Sequence, residues 1–290
     1  MSKFHYTEKF FSIQGEGRHM GVPSIFLRMF GCNFRCKNFG RYQEHILGED
    51  VRSNPEVVEV IKNIKNYKTF EELPLVSTGC DSYSSVYPEF KEFAIKQTAD
   101  ELAQEIVALL PFKRWTNEHL VITGGEPLLG WQKSYPTLLN HDLMQDLKEL
   151  TFETNGTQKL TAEFKRYLEA WSGSKRTRDD ITFSVSAKLP NSGERWEDAI
   201  NPTIVCDYET VGYTYLKFVV ATEKDVEHAL AASIMFRDEG FQGPVYLMPV
   251  GGTVETYFLN AKNVAETCLK YGLRYSARLQ CDLFKNAWGT

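Results

Sequence analysis

A chain of 290 residues with 42% hydrophobic and 24% charged side chains has the composition of an ordinary water-soluble protein, and its net charge of −5 gives no broad electrostatic attraction to nucleic acid. The opening stretch MSKFHYTEKFFSIQGEG holds no apolar core of signal-peptide length, and no later run approaches the roughly 20 apolar residues of a membrane span. These features predict a cytoplasmic protein without membrane attachment, folded as one domain over residues 1–290. In a reducing compartment its six cysteines are metal ligands, reactive thiols or core residues rather than a disulfide framework.

In chain order, FFSIQGEGRHMGVPSIFLRMFGC (10–32) supplies Gln14 and Glu16 and then an apolar strand over 23–30 that carries Arg28. A buried arginine needs a partner, either a structural carboxylate or a carboxylate ligand suited to its guanidinium fork. GCNFRCKNFG (31–40) follows, with three residues between Cys32 and Cys36. A loop built for an iron–sulfur cluster wants a third thiolate at position 39, where the residue is Phe39. Residues 40–79 show no clear strand. They contain a helix after Asn54 and Pro55 with Val57, Val58, Ile61 and Ile64 on one face, and they read as an insertion or lid too short to bury a core of its own. TGCDSYSS (78–85) then brings Cys80, Asp81 and Ser82.

The rest of the chain alternates strands and helices. A helix is predicted over 98–111, capped by Thr98 with Glu101 three residues on and Leu102, Ile106 and Leu109 on one face. The strand 119–125 ends in ITGGEPLL, where Thr123 precedes Gly124, Gly125 and Glu126; paired glycines there either let the backbone approach a ligand or simply make a turn. A helix over 141–150 leads to the strand 150–156, which ends in Glu153, Thr154, Asn155 and Gly156. Beyond a helix over 161–171, the strand 181–188 ends in SVSAK, with Ser186 and Lys188 on one face by period-two spacing. The strands 214–220 and 245–250 and the helices 223–236 and 254–272 complete the pattern, with Cys268 on the apolar side of the last helix. Six strands alternating with helices predict an α/β fold, a parallel sheet with right-handed crossovers that is open or curled into a partial barrel. In such folds chemistry collects at the C-terminal strand ends.

SIQGEG, then RMFGCNFRC, TGGEP, ETNGT and S-x-S-x-K, in that order, resemble the radical S-adenosylmethionine enzymes, and more closely the 7-carboxy-7-deazaguanine synthase family. The resemblance runs from about residue 10 to 250 apart from residues 40–79. It implies a partial (β/α)6 barrel and a lyase that converts 6-carboxy-5,6,7,8-tetrahydropterin to 7-carboxy-7-deazaguanine with loss of ammonia, in queuosine-type biosynthesis. The family's third cysteine is followed by Asp and Thr, and Cys80-Asp81-Ser82 keeps that pattern with serine in place of threonine. Cys32, Cys36 and Cys80 are therefore the implied ligands of a [4Fe-4S] cluster, with residues 37–79 a detour whose closure entropy grows only logarithmically with length. By the same resemblance Gly124, Gly125, Glu126, Asn155, Ser186 and Lys188 contact S-adenosylmethionine, Gln14, Glu16, Arg28 and Thr123 line the substrate pocket, and Ser82 holds Mg²⁺. No side chain is given a catalytic role, because the radical chemistry belongs to the cofactor. The implied partners are a small pterin substrate, a flavodoxin-like electron donor and a second copy of the chain.

Two departures bear on substrate: Met248-Pro249 stands where relatives often have Gln-Pro, and LQCDL (279–283) puts Asp282 where they have histidine. Two alternatives stay open at this point, another radical S-adenosylmethionine enzyme such as a glycyl-radical activase, and a cluster-less binding or scaffold protein suggested by Phe39.

Overall fold

The computed structural model describes residues 3–41, 54–173 and 175–290. Its strands are β1 (Phe4–Ile13), β2 (Pro23–Met29), β3 (Ile95–Gln97), β4 (His119–Gly124), β5 (Glu149–Thr154), β6 (Ile181–Val185), β7 (Tyr213–Val220), β8 (Val245–Pro249) and β9 (Arg274–Tyr275). They form one sheet in the order β3-β1-β2-β4-β5-β6-β7-β8-β9. From β2 through β4–β9 every pairing is parallel, while β1 runs antiparallel to both β2 and β3. The six strands read from the sequence are β2 and β4 to β8, and the α/β fold with a partial barrel holds.

The helices are α1 (Pro55–Lys62), α2 (Ala99–Leu109), α3 (Tyr135–Leu139), α4 (Ala162–Trp171), α5 (Trp196–Ala199), α6 (Pro202–Glu209), α7 (Glu223–Glu239), α8 (Val254–Tyr271) and α9 (Leu279–Phe284). Several begin as their sequences dictate. Thr98 accepts from the Glu101 amide and Glu101 reaches back to the Thr98 N–H, a reciprocal cap that satisfies two otherwise orphaned donors. Leu102 and Ile106 are buried as expected, but Leu109 is exposed. The helix expected over 141–150 does not form. Only a single 3₁₀ turn, Asp142–Met144, appears there, and β5 takes the last two residues because parallel pairing with β4 begins at Glu149.

One face of the sheet packs under the helices. Leu27, Ile122, Phe152, Phe183, Leu216 and Leu247 join Leu102, Phe164, Tyr208, Phe236 and Cys268 in the main core, so Cys268 is a core residue. A second core forms from Val57, Val60, Phe70, Leu73 and Val76 together with Tyr83, Tyr87 and Phe90, with Trp288 packed against it. The segment after Cys36 thus borrows its core from the residues after Cys80 and from the C-terminus. Residues 42–53 of the 40–79 segment lie outside the described residues. Among the described residues no helix is long and apolar enough to cross a membrane.

At the N-terminal ends of the strands lies a buried imidazole pair. The His119 ring hydrogen-bonds Ser24 (3.3 Å) and Thr151 (2.7 Å), and the His19 ring centroid is 4.4 Å from it. Burial and then His19 and Arg18 push His119 well below the usual imidazole range, and burial with Arg18 takes His19 down to about 4. Glu149, 3.5 Å from His19 Nδ1, is too solvent-exposed to offset this. In the unfolded chain both rings titrate near 6.5, so the stability they contribute is present above about pH 6.5 and lost as the pH falls towards 4. Thermal melts between pH 7 and 5, above the ordinary carboxylate range, are expected to show a falling Tm. His19→Gln should flatten that decline, and an unchanged slope in the variant would refute the assignment.

Candidate active site

The other face of the sheet encloses a cavity of about 230 Å³ at the C-terminal strand ends. Alternation along each strand selects its lining: Glu8 and Phe10 on β1, Phe26 and Arg28 on β2, Thr123 on β4, Glu153 on β5, Ser184 on β6, Lys217 and Val219 on β7, and Met248 on β8. A single cavity touched by strands from β1 to β8 requires the sheet to curl around it, as a partial barrel does.

Cys32, Cys36 and Cys80 all line this cavity. Cys32 and Cys36 lie in the loop after β2, while Cys80 returns after the detour and packs with Cys32 and Phe39 around Phe34, Cys36 and Ala199. Three sets of contacts close the detour at its base. The Gly79 amide donates to the Phe39 carbonyl (2.7 Å), and the buried Asn54 amide donates to the Lys37 carbonyl (3.1 Å) and Thr78 Oγ1 (3.0 Å). Asn54 Oδ1 also caps α1. The Glu56 carboxylate accepts from the backbone and the hydroxyl of both Ser77 and Thr78.

The donor set suits an iron–sulfur centre. Burial pushes Cys32 up to about 11 and Cys80 up to about 12, and raises Cys36 well above the usual thiol range. Cys80 is further raised by Asp81 and Cys32, and Cys36 by Cys80 and Cys32. Buried thiolates so close together need a cationic partner, which metal coordination supplies. Lys188 acts on all three in the opposite sense, so its ammonium lies within electrostatic reach of each sulfur. Among the described residues no three His, Cys, Asp or Glu side chains converge tightly enough for a single metal ion. A polynuclear cluster occupies volume and holds its ligands apart, so single-ion convergence is not what it requires.

The two glycines of TGGEP owe their identity first to chain packing. A Cβ on Gly124, where φ is 116°, would stand 2.3 Å from the Met29 carbonyl oxygen, and one on Gly125 would stand 2.1 Å from that of Gly31. The Gly125 and Glu126 amides donate to the Met29 and Gly31 carbonyls, which locks the end of β4 to the loop that carries Cys32. Glu126 is not among the residues that line the cavity. It is fully buried and accepts from Thr154 Oγ1 (2.7 Å), the Asn155 amide (2.7 Å) and the Leu128 amide (3.0 Å), while burial raises its pKa. Asn155 in turn donates to Asn33 Oδ1 (2.9 Å) and approaches Cys32 Sγ (4.0 Å). On the next strand end Lys188 Nζ donates to Ser186 Oγ (2.9 Å), and both line the cavity. Of the residues assigned to the cofactor, Gly124, Gly125, Asn155, Ser186 and Lys188 therefore share one cavity with the thiols, and Glu126 positions its neighbours from behind.

The opposite wall is charged. Glu16 bonds Lys217 Nζ, Arg278 Nε (3.3 Å) and Gln280 Nε2 (2.8 Å). Burial alone would raise the Glu16 carboxyl, but Lys217 and Arg278 outweigh it and hold it at about 2. Arg278 also reaches Asp81 Oδ2 (2.5 Å) and the Gly251 carbonyl. Burial likewise opposes ionisation of Asp81, and Arg278 with Arg28 wins, so its pKa is lowered. Arg28 pairs through Nε with Glu8 (2.6 Å) and through Nη1 with Ser82 Oγ (2.8 Å), so the structural partner read as one option in the sequence is present. Gln14 and Thr123 both bond the Glu153 carboxylate, at 3.1 and 2.8 Å.

Glu8, Glu153, Lys217 and Arg278 were not singled out as pocket residues from the sequence. A charged residue at a cavity-facing position of a recognisable strand is the signal that could have found Lys217; Glu8 lies beside Lys9 on the irregular β1 and Arg278 lies outside any strand, so neither carried one. Asp282 is exposed, and the C-terminal segment enters the cavity instead through Arg278, Gln280 and residues 286–290. Cys281 is buried in α9 outside the cavity lining, and none of the six cysteines is in a disulfide.

The chain is 25% identical over 97% of its length to the 7-carboxy-7-deazaguanine synthase of Leptospira interrogans, covering 94% of that protein. It is 26% identical to that of Halobacterium salinarum and 25% to that of Pyrobaculum aerophilum, each over 97% of this chain and covering 90% and 95% of those proteins. The crystal structure of QueE from Escherichia coli has the same fold, with a TM-score of 0.52 at 19% identity, over 94% of this chain and 93% of that one. No protein-family model matches the chain. The likeness to the 7-carboxy-7-deazaguanine synthases read from short motifs thus extends over nearly the whole sequence.

The Asn54 bracket makes a testable demand on the site. Asn54→Ala removes the α1 cap and both anchoring donors, which should cost about 2 kcal/mol in urea unfolding. Hydrogen exchange should quicken at the Gly79 amide while β4 stays protected. Retained protection at Gly79 would show that the bracket does not close the detour.

Proposed function

We propose that the protein is a radical S-adenosylmethionine lyase that converts 6-carboxy-5,6,7,8-tetrahydropterin to 7-carboxy-7-deazaguanine with release of ammonia, in 7-deazapurine biosynthesis. One observation carries the reading: Cys32, Cys36 and Cys80, separated by a detour over 37–79, line the same cavity as a wall of alternating charges. The activase and scaffold alternatives have no comparable support, since the charged wall is enclosed and suits a small polar substrate.

On this reading Cys32, Cys36 and Cys80 would hold a [4Fe-4S] cluster, which with S-adenosylmethionine would supply the radical chemistry. The chain's own residues bind, aim and shield. Ser186 and Lys188 reach into the cluster side of the cavity, and Gly124, Gly125 and Asn155 form its wall beside Cys32. Glu16, held ionised, and Glu153 are acceptors for the N–H-rich edge of a pterin, while Arg28, Lys217 and Arg278 complement its carboxylate. Residues 286–290 line the cavity, and the Gly289 amide donates to Glu8 Oε2 (3.1 Å) on its charged side. Ser82 and Asp81 offer hard oxygens suited to Mg²⁺, with the Arg28 guanidinium 2.8 Å from Ser82 Oγ competing for the hydroxyl. The proposal also includes one domain with 40–79 inserted in it, a homodimer in the cytoplasm, and a flavodoxin-like electron donor.

Anaerobic reconstitution with iron and sulfide should give the absorption and, once reduced, the paramagnetic signal of a four-iron cluster. Cys80→Ala should abolish it as fully as Cys32→Ala; a cluster that survives Cys80→Ala but not Cys281→Ala would overturn the ligand set. With 6-carboxy-5,6,7,8-tetrahydropterin, S-adenosylmethionine and reductant, the 7-deazapurine product should form. Cofactor cleavage without that product would reject the substrate. Stimulation by Mg²⁺ should disappear in Ser82→Ala, and stimulation that persists there would remove Ser82 from the magnesium site.

A further inference from the structure

Cys36 has φ 48°, a left-handed conformation that L-residues with a Cβ adopt only when their surroundings hold them there. The holding group is a single carboxylate. Glu194 Oε1 accepts from the Arg35 amide at 2.8 Å and from the Cys36 amide at 2.7 Å. Successive amides that point to one side form a concavity for an anion, and here the chain supplies the anion itself.

Glu194 is fixed in turn from both directions. Its amide donates to Ser192 Oγ (3.2 Å), the Asn38 amide donates to the Ser192 carbonyl (3.1 Å), and Asn191 donates to the Val219 carbonyl on β7 (2.9 Å). Gly193, at φ 84°, presses so closely on the loop after Cys36 that a Cβ would stand 2.8 Å from Asn38 Nδ2. The same loop begins with Ser186 and Lys188, which face the cavity, whereas Glu194 does not line it.

We infer that Glu194 is a positioning residue for the second cluster thiolate: it imposes the left-handed turn that aims Cys36 into the cavity and couples that turn to the loop carrying Lys188. The inference rests on the reading of Cys36 as a cluster ligand, but its first test needs no cluster. In the metal-free, reduced protein, iodoacetamide labelling of each cysteine is followed by peptide mass spectrometry. Cys36, 4% exposed, should be labelled at least tenfold faster in Glu194→Ala, with Cys32 and Cys80 changed less than twofold. Glu194→Gln, which keeps an acceptor oxygen, should restore protection. If the alanine variant does not fold, Glu194→Asp, one methylene shorter, decides: Cys36 labelling should rise at least threefold.

After reconstitution, Glu194→Ala should lose more than half of the wild-type iron and shift the signal of the reduced cluster, and Glu194→Gln should keep both. Unchanged Cys36 labelling in the folded alanine or aspartate variant overturns the inference. Failure of the wild-type protein to assemble a cluster overturns the functional reading instead, and the labelling comparison separates the two.

Discussion

The site depends on closing the detour between Cys36 and Cys80. Lengthening a link from two residues to 43 costs about 3 kcal/mol of closure entropy, since each doubling adds about 0.6 kcal/mol. Three or four well-made hydrogen bonds at about 1 kcal/mol each offset this. The base of the detour has that number and more, in the Phe39–Gly79 bond, the Asn54 bracket and the four donors on Glu56. The second core adds to it, because Val57, Val60 and Phe70 bury against Tyr83, Tyr87 and Phe90, which lie beyond Cys80. The segment between Cys36 and Cys80 is thus pinned at its root.

The charged wall imposes the second constraint. Lys217, Glu16, Arg278, Asp81, Arg28 and Glu8 alternate in sign, and each has its opposite within bonding distance. Removing one partner of a buried pair leaves an uncompensated charge, so the group behaves as a unit. Arg278 is its hub. It joins the segment of Cys80 through Asp81, the SIQGEG segment through Glu16 and the loop after β8 through the Gly251 carbonyl. Trp288, further along, donates its indole N–H to the Leu73 carbonyl and packs against Phe70. The C-terminal segment therefore ties the detour to the barrel and forms part of the cavity as well.

Where period and propensity agreed, the sequence was readable. The strands β2, β4 and β8 carry mostly apolar runs and β5 to β7 alternate apolar with polar residues, and the helices α2, α4, α7 and α8 announce themselves by cap and stripe. β1 was missed because its register shifts between Tyr6 and Glu8, which breaks the alternation that would identify a strand. The helix expected over 141–150 was misread because Met144 and Leu147 are both buried and spaced as on a helix, while strand pairing claims Glu149 onward. The paired glycines were legible as special positions, but what they accommodate first is the backbone of Met29 and Gly31.

By itself the sequence determined the parallel α/β order, the strand ends at which unusual residues gather, and the candidate thiols Cys32, Cys36 and Cys80 with the motifs around them. These are local properties: a run, a spacing, a tripeptide. Only the tertiary structure decided which side chains meet. It set Glu126 on Thr154 and Asn155, brought Lys217 and Arg278 onto Glu16 across about 200 and 260 residues of chain, and set Glu194 on the Cys36 turn. Periodicity tells which face of a strand a residue occupies. Which faces converge on one cavity is settled by the curl of the whole sheet and by the loops pinned across its open end.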